Sequence, residues 1–170
     1  MNAMNTPPPH TTSSRIIGSP VGDLVILASP KGISGLYFGH RIGREELPGE
    51  GEGSQWLDAA AQQLSEFFAH NREEFDLPLD PVGTEFQMSV WKQLSLIPFG
   101  ETASYRQIAE RINNPAAVRA VGLANGSNPI SIIVPCHRVI GADGSLTGFG
   151  GGLDIKRQLL EFEGALLPIG

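Results

Sequence analysis

Cys136 and His137 are the residues best suited to covalent chemistry, and they follow one another directly after Pro135. Cys136 is the only cysteine of the 170-residue chain. A thiolate is a strong nucleophile, and a neighbouring imidazole can take the thiol proton. A lone cysteine is also often a buried, small apolar side chain. The adjacency of thiol and imidazole leaves both interpretations open.

The segments on either side of this pair must position it. Residues 130–134 form an apolar run that ends at Pro135 and predicts a strand presenting the thiol at its end. Residues 141–145 predict a turn. Glycines recur through residues 147–152, which indicates either close approach of the backbone to a ligand or a mobile loop.

A last helix is predicted to begin with Asp154 as its N-cap and to end at Gly164. Glu163 lies in its last turn, where a carboxylate opposes the helix dipole. Either a cation such as a protonated histidine compensates this charge, or Glu163 is an exposed side chain.

Two capping boxes predict where earlier helices begin. Thr84 pairs with Gln87, and Ser104 pairs with Gln107, each followed by apolar residues at helical spacing. The sequence therefore predicts helices that start at these two points.

A further helix is predicted over residues 115–124, with Asn114 as N-cap and Pro115 at the first helical position. Two short helices joined by a tight turn are typical of a helix-turn-helix or of an ordinary helical hairpin. On a helical projection Arg119 lies opposite the apolar residue Val121. Arg119 is therefore either a long side chain that reaches a ligand or a solvated surface residue.

The first half of the chain predicts a small antiparallel sheet. Residues 15–17, 24–28 and 33–38 are short apolar runs separated by Gly and Pro turns. Ser54 begins a predicted amphipathic helix. Residues 77–79 predict a last short strand.

Composition predicts three regions along the chain: a disordered polar tail over residues 1–14, a domain over 15–80 and a second domain over 81–170. No run of 18 or more apolar residues occurs, so no membrane partner is expected. A single cysteine excludes a disulfide framework and agrees with a reducing, cytoplasmic location.

Charge is unevenly distributed between the two halves. Residues 1–82 hold five Lys/Arg and eleven Asp/Glu, whereas residues 83–170 hold seven of each. If the chain binds DNA, the second half is expected to do so, through a few placed cations and helix N-termini.

The hexapeptide Pro-Cys-His-Arg-Val-Ile at residues 135–140 resembles the active-site motif of the O6-alkylguanine-DNA alkyltransferases. The similarity is specific over about residues 84–163 and loose before them. Other segments that resemble this family at matching spacing are Phe86 to Lys92, Pro98 to Tyr105, Arg119 to Pro129 and Gly151 to Lys156.

The resemblance implies an α+β chain. Its first domain would be a small ribonuclease H-like unit with an antiparallel sheet and a helix. Its second would be mostly helical and winged-helix-like, with a helix-turn-helix. Family members that hold a structural zinc use cysteines for it, so no metal is expected here.

The resemblance also implies direct DNA repair. A methyl or small alkyl group would move from O6 of guanine, and as an open alternative from O4 of thymine, to Cys136. The thioether product cannot be broken in the site, so the protein would act once, without a cofactor.

By the same resemblance His137 would take the thiol proton, and Glu163 would orient the imidazole. Tyr105 would donate a hydrogen bond to N3 of the departing guanine.

The substrate-binding residues implied by the family are Val139, Gly150, Phe149 and Asn128. Carbonyls of Cys136 and Val139 would accept from the exocyclic amine, and a backbone N–H near Gly150 would meet O6. Phe149 stands where a tyrosine often occurs, and Asn128 would tie the turn before the cysteine.

The partner implied is double-stranded DNA containing O6-alkylguanine, bound by a monomer through the minor groove with the target base everted. Arg119 would fill the gap left by this base. The contacting helix face would be formed by Ala116, Ala117 and Val118.

Two other functions remain as alternatives. A thiol hydrolase using Cys136 and His137 would release product and turn over. A damage sensor would bind alkylated DNA without any change at its thiol.

Overall fold

A computed structural model describes residues 4–167 of the chain. The chain divides into two compact units, Met1–Val82 and Gly83–Gly170. Within the described residues no helix is both long enough and apolar enough to cross a bilayer.

The N-terminal unit is built on the predicted antiparallel meander. Strands β1 (Ser13–Ile17), β2 (Leu24–Ser29) and β3 (Gly32–Phe38) lie in sequence order. Every residue of β2 is buried, because this strand is central and covered by a helix. The prediction of a small antiparallel sheet is confirmed.

Helix α1 (Ser54–Phe68) begins at the predicted residue and packs on this sheet. Gly53 precedes it with a φ of 88°, and a Cβ there would lie 2.3 Å from the Ser29 carbonyl oxygen. Only glycine fits this close approach. The buried residues of α1 are Leu57, Ala60, Leu64 and Phe67.

The disordered tail expected over residues 1–14 differs from the structure where the structure describes it. The Asn5 amide donates to the Arg41 carbonyl, and the Thr12 amide donates to the Ala28 carbonyl, both at 2.8 Å. Backbone hydrogen bonds to Arg41 and Ala28 therefore hold this polar segment in place. Residues 1–3 lie outside the described part of the chain.

The short strand predicted over residues 77–79 is reduced to a single bridge between Leu79 and Ile33 of β3. The Ile33 amide donates to the Pro78 carbonyl, and the Asp80 amide donates to the Ile33 carbonyl. Pro78 lacks a backbone N–H, which limits how far such a ladder can extend.

The C-terminal unit is mostly helical, so the predicted α+β class is confirmed. Both predicted capping boxes form, from Thr84 with Gln87 and from Ser104 with Gln107. The elements are α2 (Glu85–Leu94), β4 (Ala103–Ser104), α3 (Tyr105–Arg111), α4 (Val118–Gly126), β5 (Val139–Ile140) and α5 (Leu153–Phe162). The two short strands, β4 and β5, pair in parallel.

Helix α4 starts later than predicted. The Ala117 amide donates to the Asn114 carbonyl at 2.9 Å, so residues 114–117 form a separate turn. Ala117 is the N-cap, and its side chain cannot make a capping bond. Asn114 and Pro115 therefore precede the helix instead of starting it, and α3 packs against α4 across this connection.

The predicted strand over residues 130–134 is wrong. The Val134 amide donates to the Ile130 carbonyl, so these backbone groups pair within a local turn and not with a neighbouring strand. Ile132 adopts a φ of 70° in this turn. Cys136 instead begins a single 3₁₀ turn, Cys136–Arg138, which leads into β5. The apolar run is buried without belonging to a sheet.

Helix α5 begins at Leu153, with Gly152 as N-cap at a φ of 99°. The predicted capping role of Asp154 is therefore wrong. Asp154 lies in the first helical turn, where its charge favours the helix dipole without a capping bond.

Candidate active site

Cys136 lies at the start of the 3₁₀ turn with only 4% of its surface exposed. Burial raises the pKa of its thiol above the ordinary value. Hydrogen bonds from Asn128 and Ser131 and the charge of Lys156 act in the opposite direction. The thiol is therefore protonated at rest, with groups around it that favour the thiolate.

His137 is completely buried and contacts Glu163, with 2.8 Å between Nε2 and Oε2. Burial lowers the pKa of His137, although the carboxylate acts to raise it. We assign the proton of a neutral imidazole to Nε2, because Glu163 can only accept. His137 Nδ1 then carries a lone pair, and it has no hydrogen-bond partner within residues 4–167.

Glu163 follows the last turn of α5 and is held by two residues of the 3₁₀ turn. Arg138 donates from Nε to Oε1 and from Nη2 to Oε2, both at 2.8 Å. Burial would raise the pKa of Glu163, but the bonds from His137 and Arg138 outweigh it and lower this pKa to about 2. The carboxylate is ionised, as its predicted orienting role requires.

Glu163 is compensated by a cation, one of the two alternatives that the sequence left open, and this cation is Arg138 instead of a protonated histidine. Its Nη1 donates to the Ile97 carbonyl at 2.7 Å, and its guanidinium lies 5.8 Å from the Phe99 ring centre. The sequence reasoning missed this role. The signal was available, because a buried carboxylate needs a cation and Arg138 follows His137 directly.

Lys156 is a second charged residue that the sequence reasoning did not place in the site. Its Nζ donates to the carbonyls of Val139, at 2.6 Å, and Thr147, at 2.8 Å. Burial lowers the pKa of Lys156 to about 8, whereas the nearby Cys136 acts to raise it. The spacing gave a signal, since Lys156 and Glu163 are seven residues apart, which places both on one side of the predicted last helix.

Tyr105 begins α3 and reaches the glycine-containing segment. Its hydroxyl donates to the Thr147 carbonyl at 3.0 Å, and its ring centre lies 5.9 Å from Lys156 Nζ. Burial raises the pKa of Tyr105, so its hydroxyl remains a donor. Tyr105 and Lys156 thus share one carbonyl of this segment.

Asn128 ties the turn before the cysteine. Its Nδ2 donates to the Val134 carbonyl at 2.8 Å, and its Oδ1 accepts from the Ile130 amide at 3.0 Å. Both ends of the amide therefore fix the segment that leads to Cys136.

The glycine-containing segment lies beside the end of α4. Gly150 is exposed and Phe149 is half-buried. A Cβ on Gly150 would meet only the Gly126 carbonyl, at 3.9 Å. Gly148 has a φ of 58°, and a Cβ there would lie 3.4 Å from the Tyr105 hydroxyl.

Helix α4 presents Arg119 to solvent, while Val121 and Ala124 are buried. The predicted opposition between Arg119 and the apolar side is therefore confirmed. The other residues expected to contact DNA are exposed, as Ala116 is, or half-buried, as Ala117 and Val118 are. Of the three, only Val118 belongs to the helix.

These contacts bring a thiol, a neutral imidazole and an ionised carboxylate into one buried cluster. Asn125 of α4 joins this cluster to the helix, since its Nδ2 lies 3.4 Å from the Cys136 carbonyl oxygen. In general, an imidazole that follows a thiol can accept the thiol proton, and an ionised carboxylate can stabilise the imidazolium that forms.

Comparison with known proteins gives matches over both units. The ribonuclease-like domain of 6-O-methylguanine DNA methyltransferase matches residues 14–81, and the DNA binding domain of the same family matches residues 85–165.

Similar proteins are named methylated-DNA–protein-cysteine methyltransferase. One from Methanosarcina barkeri is 51% identical over 87% of this chain and 94% of its own length. One from Mycobacterium bovis is 49% identical over 91% of this chain and 93% of its own. The crystal structure of Mycobacterium tuberculosis OGT in complex with DNA has 47% identity and a TM-score of 0.83, covering 91% of this chain and 94% of that one. The chain belongs to the 6-O-methylguanine DNA methyltransferase family.

Proposed function

We propose that the chain repairs DNA directly, by moving a methyl or small alkyl group from O6 of guanine to Cys136 in a single, irreversible step. Relatives are named for transfer of a methyl group from DNA to a protein cysteine. This chain has one cysteine, and it lies next to a buried imidazole–carboxylate pair. That juxtaposition is the observation that carries the proposal.

The sulfur is activated by its neighbours. His137 takes the thiol proton on Nδ1, directly or through a water, and Glu163 stabilises the resulting imidazolium through Nε2. The sulfur then attacks the alkyl carbon in line with the O6–carbon bond. A thioether forms, and the electron pair of the broken bond stays on guanine. The nucleophile comes from the chain and the alkyl group from the substrate, so no cofactor is needed.

The departing guanine is stabilised by Tyr105, whose hydroxyl would donate to N3 as negative charge develops there. In the structure this hydroxyl donates to the Thr147 carbonyl. Substrate binding therefore exchanges one acceptor for the other, while Lys156 continues to hold Thr147. The positive charge of Lys156 also favours the thiolate of Cys136.

The purine would be recognised by backbone groups around the thiol. The carbonyls of Cys136 and Val139 would accept from the exocyclic amine, and the N–H near Gly150 would meet O6. Cys136 is only 4% exposed in the structure, so the residues that cover it must move to admit the base. Asn128 keeps the turn before Cys136 in place during this movement.

DNA would contact α4 and the turn before it. Arg119 is exposed and long enough to fill the space left by an everted nucleotide. Ala116, Ala117 and Val118 are small or short, which suits the narrow minor groove. We propose that a monomer acts in this way in the cytoplasm, with duplex DNA as its partner.

The experiment that tests the proposal is mass analysis of the Cys136 peptide after incubation with duplex containing O6-methylguanine. One added methyl group per chain, with no further turnover, is expected. A thiol hydrolase would turn over repeatedly, and a sensor would bind the DNA with its thiol unchanged. A Cys136→Ser variant provides the control, since it should bind the duplex and gain no mass.

The role of Arg119 is tested by comparing duplex with a free O6-alkylguanine base. Arg119→Ala should slow the reaction with duplex about 10- to 100-fold, because losing the group that fills the gap costs a few kcal/mol of unstacking. Reaction with the free base should be unchanged. Arg111→Ala is the matched control, since it removes an equal charge from an exposed site on α3. Equal losses in both variants would assign Arg119 to general charge attraction.

A further inference from the structure

Residues 5–12 form a strap along the N-terminal unit. At one end of the strap, the Asn5 amide and the Asn5 Nδ2 both donate to the Arg41 carbonyl, at 2.8 and 2.9 Å. Towards the other end, Thr11 Oγ1 lies 2.9 Å from Ser34 Oγ of β3. The strap is therefore attached both to β3 and to the segment that follows β3.

The chain leaves the N-terminal unit through the exit segment, residues 78–80, which lies against the start of β3. The Ile33 amide donates to the Pro78 carbonyl at 2.8 Å, and the Asp80 amide donates to the Ile33 carbonyl at 2.7 Å. A Cβ on Gly32 would lie 2.4 Å from the Pro78 carbonyl oxygen, so only glycine permits this close approach. The exit segment is therefore in direct backbone contact with the sheet.

Little apolar burial holds the exit segment in this position. Pro78 is exposed and Leu79 is 38% exposed, so the hydrophobic effect contributes little to its attachment. Pro78 and the following Pro81 have no backbone N–H, which limits the hydrogen bonds that this part of the chain can donate. Contacts from other segments must therefore supply much of the attachment.

His10 of the strap supplies such a contact. Its Nε2 lies 2.8 Å from the Asp80 carbonyl oxygen and 3.4 Å from Asp80 Oδ2. A carbonyl can only accept, so we assign a proton to Nε2, which donates to this carbonyl. The Ser29 hydroxyl donates to the Asp80 carboxylate at 2.5 Å. One imidazole therefore joins the strap to the last residue of the exit segment.

We propose that the strap holds the exit segment on β3 and that His10 is the residue through which it does so. When His10 leaves Asp80, the exit segment detaches while the sheet remains paired, because β2 and β3 have their own register of backbone contacts. Detachment adds residues 78–80 to the connection that continues at Pro81. This connection then becomes longer and open to proteases.

Native-state hydrogen exchange of the Ile33 and Asp80 amides measures whether the exit segment is held. His10→Ala should speed the exchange of both amides about 5-fold, as expected for the loss of one partly exposed hydrogen bond. The amides of β2, the central strand, should exchange at the wild-type rate. His40→Ala is the matched control, because it removes an exposed histidine of the same unit whose ring stacks on Phe38.

Two further variants separate the hydrogen bond from the bulk of the imidazole. His10→Gln keeps a side-chain N–H that can donate to the Asp80 carbonyl, so it should retain most of the protection. His10→Leu keeps an apolar side chain without a donor, so it should behave as His10→Ala does. Brief digestion with a broad-specificity protease should cut the His10→Ala chain within residues 78–83 about 5-fold faster than the wild-type chain.

Wild-type exchange of the Ile33 and Asp80 amides in both His10→Ala and His10→Leu would overturn the inference. Equal acceleration at every amide of the N-terminal unit would also overturn it, since the strap would then stabilise the whole unit and not the exit segment. The inference is independent of the proposed alkyl transfer, because both measurements report on residues before the second unit.

Discussion

Residues 4–167 contain two histidine–carboxylate pairs with different surroundings. In the N-terminal unit, His10 Nε2 lies 3.4 Å from Asp80 Oδ2, and these side chains are 28% and 26% exposed. In the C-terminal unit, His137 Nε2 lies 2.8 Å from Glu163 Oε2, and both side chains are fully buried. The pairing of residue types is the same, so burial and neighbours must account for any difference in chemistry.

The neighbours separate the two pairs clearly. Ser29, a neutral residue, donates to Asp80 at 2.5 Å, and water can solvate the remaining charge. Glu163 instead has a cation, Arg138, with two hydrogen bonds, and Cys136 directly precedes its histidine in the sequence. The histidine of such a pair becomes a candidate proton acceptor where the pair is shielded from water, the carboxylate is balanced by a cation and a nucleophile is adjacent.

The largest expected effect comes from removing the cation of the buried cluster. Arg138→Met leaves the Glu163 carboxylate buried with a neutral partner, which should lower the free energy of unfolding by about 3–5 kcal/mol. Urea denaturation measures this change. Arg72→Met is the control, because the Arg72–Glu66 pair is partly exposed and should contribute at most about 1 kcal/mol. Equal losses in the two variants would mean that burial does not distinguish these ion pairs.

Acid should weaken the buried cluster in a defined pH range. The pKa of Glu163 is about 2 in the folded chain, below its ordinary 4.5. A pKa lowered by folding gives stability that is complete above pH 4.5 and is lost as pH falls toward 2. About 3 kcal/mol of the stability is therefore lost between pH 6 and 2 through Glu163. The lowered pKa of His137 acts in the same direction below pH 6.5.

Urea denaturation at several pH values measures this loss, with Glu163→Gln as the comparison. The stability difference between the wild-type chain and this variant should shrink by about 3 kcal/mol from pH 6 to 2. A difference that stays constant over this range would show that Glu163 titrates normally.

Local sequence signals predicted much of this fold. Thr84 and Ser104 each pair with a glutamine three residues later. Such bonds form within one helical turn, so their formation does not depend on distant contacts. The three-strand meander was also predictable, because short turns join neighbours in sequence.

The errors arose where tertiary contacts decide. The apolar run at 130–134 satisfies a strand pattern, but the Asn128 amide closes it into a turn. Arg138 and Lys156 were missed as site residues because their partners, Glu163 and the Thr147 carbonyl, become neighbours only when α5 packs against the cysteine turn. Periodicity indicates which face is buried, and it does not indicate which charges meet there.

The remaining prediction concerns the chemical step, in which the two histidine–carboxylate pairs should differ most clearly. Glu163→Gln replaces the charge that stabilises the imidazolium by a neutral amide, so transfer to Cys136 should slow about 100-fold, equivalent to about 2.7 kcal/mol. Single-turnover kinetics with O6-methylguanine duplex measure the rate, at a temperature where circular dichroism shows the variant to be folded. Asp80→Asn is the matched change in the other pair and should leave the rate within about 2-fold, since Cys136, the one cysteine of the sequence, belongs to the C-terminal unit. A Glu163→Gln variant that reacts as fast as Asp80→Asn would mean that the imidazole accepts the proton without a carboxylate, and the buried pair would then serve stability alone.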